Sequence, residues 1–172
     1  MEGTINCNIF HRLAMIDNWI FQYKKKRQPE RKVVFPNYSK VRSVVLVYEQ
    51  GVDDKGISLL AKRLEKDGIM VEVVGYQPKE DFNYFGRVKA EAMTALPSQR
   101  FDLLMDLSTH YYFGTQYILM AIDATFKAGL RFVDVAEKDQ QGILDMMVSL
   151  PGSAQPEEIA EQVIHFMKMI NA

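Results

Sequence analysis

Asp106, Ser108 and His110 place an acid, a hydroxyl and an imidazole at alternate positions of the segment FDLLMDLSTH. That set of groups could run a nucleophilic relay if the imidazole bridged hydroxyl and carboxylate. The spacing argues otherwise. If the strand continues through them, neighbours two apart are separated by about 6.6 Å and His110 lies about 13 Å from Asp106. No G-x-S-x-G elbow surrounds Ser108 either. The expected roles are structural: Ser108 or Thr109 capping the next helix, and Asp106 accepting from backbone amides.

Other constellations invite the same test. Glu49, Asp53 and Asp106 form a carboxylate trio that could hold Mg²⁺. It is similar in outline to the acidic pocket of response-regulator receiver domains. The last strand, however, ends at Ser149 and Leu150 without the lysine which that family places there. Cys7 and His11 stand four apart on a predicted helix, a spacing fit for two zinc ligands, but no second pair lies nearby. The loop after the first strand contains Gly51 alone, which supplies neither a dinucleotide fingerprint nor a P-loop. Tyr111, Tyr112 and Phe113 are expected to fold over their own core. No cofactor or metal is assigned.

The elements that must position these residues follow from hydrophobic patterning. Val41–Tyr48 is a β-branched run of the kind found in buried parallel strands. Asp53 or Asp54 can cap the helix that follows, and Gly68 ends it. Ile69–Tyr76 is the next strand, and its Glu72 points to a sheet edge. Residues 77–100 have no clean period; a short strand near 83–87 or a helix near 89–96 is expected there. Phe101–Ser108 is the central strand. Tyr117–Phe126 is apolar on nearly every side and reads as a buried helix with Gly129 at its C′ position. Arg131–Val135 and Asp145–Leu150 read as the last two strands. Pro156, Glu157 and Glu158 open an amphipathic closing helix.

This alternation predicts a three-layer, flavodoxin-like (Rossmann-like) open α/β sheet of about five mostly parallel strands in the order 2-1-3-4-5. In such sheets ligands bind beyond the carboxyl ends of the strands. That geometry selects Glu49, Gln50, Gly51 and Asp53 after the first strand, Asp106, Ser108, Thr109, His110 and Tyr112 after the central one, and Asp134 or Glu137 further on.

The 172 residues support one well-buried core, read as a single α/β domain over 41–172 behind an N-terminal extension over 1–40. No apolar run approaches the roughly 20 residues that would span a bilayer. With a single cysteine, Cys7, a cytoplasmic protein is expected. Charge is unevenly spread: residues 1–43 carry nine Lys or Arg against three acids, leaving twelve against nineteen beyond them. Within the extension Ile9, Phe10, Leu13, Ile16, Trp19, Ile20 and Tyr23 make one stripe of a helix over about residues 8–26. Lys24, Lys25, Lys26 and Arg27 follow it, and Gln28–Tyr38 is a linker. The expected cover for this stripe is first the protein's own sheet, then a second copy or a protein partner, and last a membrane surface. Nucleic acid is not expected, because the bases and the exposed aromatics do not share a face.

Taken together, VRSVVLVYEQGVDD, NYFG, FDLLMDLS, FKAG, DMMVSL and the closing MKMINA resemble an uncharacterised family of short bacterial α/β proteins. The resemblance implies the fold and no activity. The leading functional expectation is a non-catalytic binding or interaction protein acting through the N-terminal basic helix, with Trp19 and Tyr23 as anchors. The alternative is an enzyme or sensor for a small metabolite, or a nucleotide with Mg²⁺, at the carboxyl edge of the central strands.

Overall fold

Five parallel strands carry the molecule: β1 (Ser43–Glu49), β2 (Met70–Tyr76), β3 (Phe101–Asp106), β4 (Ala124–Leu130) and β5 (Met146–Val148), in the order β2-β1-β3-β4-β5. The computed structural model describes residues 21–23, 25–26, 33–83, 86–136, 140, 142–150 and 154–170. The helices are α1 (Asp54–Lys66), the short α2 (Pro78–Asp81) and α3 (Ala90–Thr94), α4 (Phe113–Ala121) and α5 (Pro156–Ile170). The α/β class holds, and the order is numerically the expected one, with a different segment as its fourth strand. β2 is an edge, as Glu72 indicated: the interiors of β1, β3 and β4 are largely buried, whereas β2 is open over Met70, Glu72 and Val73.

Alternation along the strands builds two apolar layers, one on each side of the sheet. Val44, Leu46, Leu103, Met105, Leu107 and Phe126 meet Ile57, Leu60 and Leu64 of α1 and Ile159, Val163 and Met167 of α5 on one side. Val45, Val47, Phe101, Leu104 and Ala124 meet Ile118 and Leu119 of α4 on the other. The second layer also takes Phe21, only 1% exposed, whose ring lies 4.9 Å edge-on from those of both Phe113 and Tyr117. Residues 21–23 and 25–26 are helical. The predicted stripe had Tyr23 facing inward; the residue buried there is Phe21, and Tyr23 is 44% exposed. The rest of the predicted N-terminal helix, with Cys7, His11, Trp19, Lys24 and Arg27, lies outside the described residues.

The main correction concerns the expected helix Tyr117–Phe126. α4 stops at Ala121, and Ala124–Leu130, containing the FKAG phrase, is the strand β4, paired with β3 from Phe101↔Ala124 to Asp106↔Gly129. Two residues explain the misreading. Lys127 looks like a solvated helix residue, but its ammonium is buried and donates to the carbonyls of Leu119 and Ile122, the latter at 2.7 Å. It thus closes the C-terminus of α4 from the neighbouring strand, where a glycine would otherwise stand. Gly129 is no C′ residue: a Cβ there would sit 2.9 Å from the Cβ and 3.1 Å from the carbonyl oxygen of Asp106. The glycine lets β4 approach β3 at that point. With β4 upstream, Arg131–Val135 is a loop and not a strand, and β5 follows as expected.

The illegible stretch 77–100 resolves into α2, an isolated antiparallel bridge between Phe82 and Val88, and α3. It carries Phe82 onto the carboxyl edge.

Candidate functional site

Glu49 ends β1 and His110 and Tyr112 follow β3, so the loops meet where the chain's winding reverses between those two adjacent strands. This is the switch point at which open α/β sheets form a crevice. The Glu49 carboxylate accepts from the Tyr112 hydroxyl at 3.1 Å, and its other oxygen lies 3.3 Å from Nδ1 of His110. Thr109 Oγ1 lies 3.2 Å from the same ring nitrogen. The Glu49 side chain is 15% exposed and that of His110 66%, so the cluster forms a rim with one open side. Burial and the Glu49 charge raise the Tyr112 pKa and keep the phenol a donor.

Behind this rim lies a second polar chain, closed to solvent. The phenol of Tyr76 donates to Ser108 Oγ at 2.8 Å, and Ser108 donates to Asp106 Oδ1 at 2.5 Å. The backbone N–H of Ser108 donates to the same carboxylate oxygen at 3.1 Å. β3 ends at Asp106 and the chain turns, so the carboxylate and hydroxyl touch where a continued strand would have separated them. Asp106 is 2% exposed and Ser108 1%. Burial pushes the Asp106 carboxyl up to about 6, against the pull of the Ser108 hydrogen bonds. Burial and the nearby Asp106 charge raise the Tyr76 phenol well above its usual range. Phe82 stacks on Tyr76 at 5.5 Å, and Tyr112 lies edge-on to Tyr76 at 6.3 Å, so aromatic rings seal this inner chain. Gly114 is needed beneath that cover, since a Cβ would stand 2.7 Å from the Phe82 ring and 2.8 Å from the Gly86 carbonyl.

The sequence-selected residues therefore divide. Glu49, Thr109, His110 and Tyr112 come together at the rim, and Asp106 and Ser108 in the sealed chain. Gln50 turns the other way and accepts from Gln77 Nε2 at 2.8 Å. Gly51 occupies the turn at φ +87°, and Asp53, itself left-handed at φ 57°, caps α1 by accepting from Gly56 N at 3.1 Å. Asp53 is therefore spent on the helix, and the Glu49–Asp53–Asp106 trio does not assemble: no group of three metal-ligating side chains occurs among the described residues. Ser108 and Thr109 do not cap α4, whose N-cap is Tyr112 without a side-chain bond. The relay reading also fails in space, because the imidazole faces Glu49 and Thr109 while Ser108 faces Asp106 and Tyr76. Asp134 sits in the exposed loop after β4, and Glu137 is outside the described residues. Sequence reasoning missed Tyr76. Its place as the last residue of β2 at the carboxyl edge was the available signal, but only the register across β1 shows that it reaches Ser108.

The fold and this edge define an α/β protein of the doubly wound parallel class, with an acidic rim at its switch point. The chain belongs to a family described as a family of unknown function, DUF6913, which matches residues 13–170. Neither the curated proteins nor the solved structures contain a match. No helix among the described residues is long and apolar enough to cross a membrane.

Proposed function

We propose that this protein is a small-molecule binding protein whose site is the rim formed by Glu49, Thr109, His110 and Tyr112. The observation that supports the reading is the convergence of one accessible carboxylate with an imidazole and two hydroxyls from the loops of β1 and β3 at the switch point. A carboxylate at the centre suits a ligand that offers hydrogen-bond donors, an amine or a polyol, and repels a bare phosphate. The role is binding without chemistry: the hydroxyl best placed to attack, that of Ser108, is sealed and already bonded on both sides. Titrating a panel of amines and polyols into the ¹⁵N-labelled protein should shift the amides of residues 49–50 and 109–112 saturably. Substituting Glu49→Gln should weaken the response at least tenfold. A panel without any saturable shift, or one indifferent to Glu49→Gln, would sink this reading.

Partner binding through the N-terminal basic segment is a second reading, favoured by one feature. Tyr23, Val33 and Val34, which flank that run of bases in the sequence, are 44%, 52% and 54% exposed. Such a stretch suits association with a protein surface or a second copy. Phe21 is part of the core, so point substitutions test this better than truncation. Tyr23→Ser with Val34→Ser should abolish concentration-dependent association in sedimentation velocity. A wild-type protein that stays monomeric across the range would remove the self-association form of the idea.

A further inference from the structure

A hollow of about 330 Å³ opens at the carboxyl ends of β4 and β5, lined by Arg131, Phe132, Val133, Val135, Gln140 and Ser149. Its wall is a built loop. Gln140, buried at 6% exposure, accepts from Phe132 N at 2.7 Å and donates to the carbonyls of Phe132 at 2.6 Å and Val135 at 2.7 Å. The backbone of Arg131 is held to β5 by its N–H, which donates to the Val148 carbonyl at 2.8 Å. The ring of Phe132 lies 5.7 Å edge-on from that of Tyr111. The loop is therefore fixed from three directions. The Arg131 guanidinium is exposed and forms no ion pair or hydrogen bond with the described residues. Val133, beside it, is 84% exposed, a large apolar side chain held in water.

We propose that this hollow binds a small organic acid, with its carboxylate on Arg131 and its apolar body against Phe132, Val133 and Val135. The volume falls within the range of small-ligand pockets, roughly 300–1,000 Å³. A guanidinium presents a planar fork that matches a carboxylate, and one cation balances one carboxylate charge. Phosphate dianions are better served by several cations or a run of backbone N–H groups, and the described lining residues include a single cation. Ser149 adds one hydroxyl at the rim. Because Gln140 holds the loop in place before any ligand arrives, little ordering accompanies binding. This site is separate from the Glu49 rim, and either can stand without the other.

Benzoate, benzylamine and inorganic phosphate, each titrated into the ¹⁵N-labelled full-length chain, test the proposal. Benzoate should move the amides of residues 131–135 and 149 saturably, whereas benzylamine, with the same body and opposite charge, and phosphate should not. Arg131→Gln should weaken benzoate at least tenfold, with Arg131→Lys in between; the side chain is exposed, so both variants should keep the wild-type spectrum elsewhere. Saturation by phosphate as tight as by benzoate would overturn the apolar part of the proposal. Benzoate affinity unchanged in Arg131→Gln, or no saturable shift at all, would overturn the whole.

Discussion

Asp106 and Glu49 are both carboxylates at the carboxyl edge, one after β3 and one ending β1, and each accepts a hydroxyl hydrogen bond. They differ in what covers them. Phe82, Tyr76 and Tyr112 close over Asp106, while the face of Glu49 toward His110 stays open. The comparison teaches that position on the sheet edge selects candidates but does not make a site. A carboxylate beneath an aromatic cover couples to stability, through the cost of its own ionisation, whereas one at the rim is available to a ligand.

The difference can be broken most strongly through pH. Folding raises the Asp106 pKa from 3.8 to about 6, so the folded state holds that proton more tightly than the unfolded chain. The resulting stabilisation is fully present below about pH 4 and is lost as pH rises through about 6; a rise of this size corresponds to about 3 kcal/mol. In Asp106→Asn that slope should vanish from urea-denaturation free energies measured between about pH 4 and 7. An unchanged slope would mean that the carboxylate is not sealed.

Next in size is Gly129→Ala, which drives a methyl into the backbone and Cβ of Asp106, and into Leu144 at 3.0 Å. Overpacking of this kind costs about 1–3 kcal/mol. A neutral result by thermal denaturation would show the β3–β4 contact to be looser than described. Tyr76→Phe removes the donor to Ser108 while leaving the Ser108–Asp106 bond, an expected loss of about 1 kcal/mol. Glu49→Gln should cost about 0.5 kcal/mol or less, because the glutamine oxygen can still accept from Tyr112 and the His110 partner is 66% exposed. If Glu49→Gln proved as damaging as Tyr76→Phe, rim and interior would be one structural network and the binding proposal would lose its basis.

The strands differ as instructively as the carboxylates. β1 was legible because SVVLVYE combines β-branched residues with burial on both faces, which few other elements need. β4, ATFKAGL, is just as buried, yet it holds a lysine and a glycine that local reading assigns to a helix surface and a helix end. Each has a reason that lies across space. Lys127 answers carbonyls on α4, and Gly129 answers the approach of Asp106. Likewise Tyr23 fitted the helical stripe and Phe21 did not, but the rings of Phe113 and Tyr117 determine which one is covered.

What the chain's order of residues determined by itself was the α/β class, the first three strands, the helix between the first two and the closing helix, and the edge where polar residues gather. These depend on periodicity and on turn chemistry, which are local properties. Only tertiary structure decided which polar residues face one another. It joined Tyr76 to Ser108 across 32 residues and Tyr112 to Glu49 across 63, and it spent Asp53 on a helix cap. Hydrogen-bond partners and burial are set by the packing of distant segments, and the identity of a residue does not say what will come to lie against it.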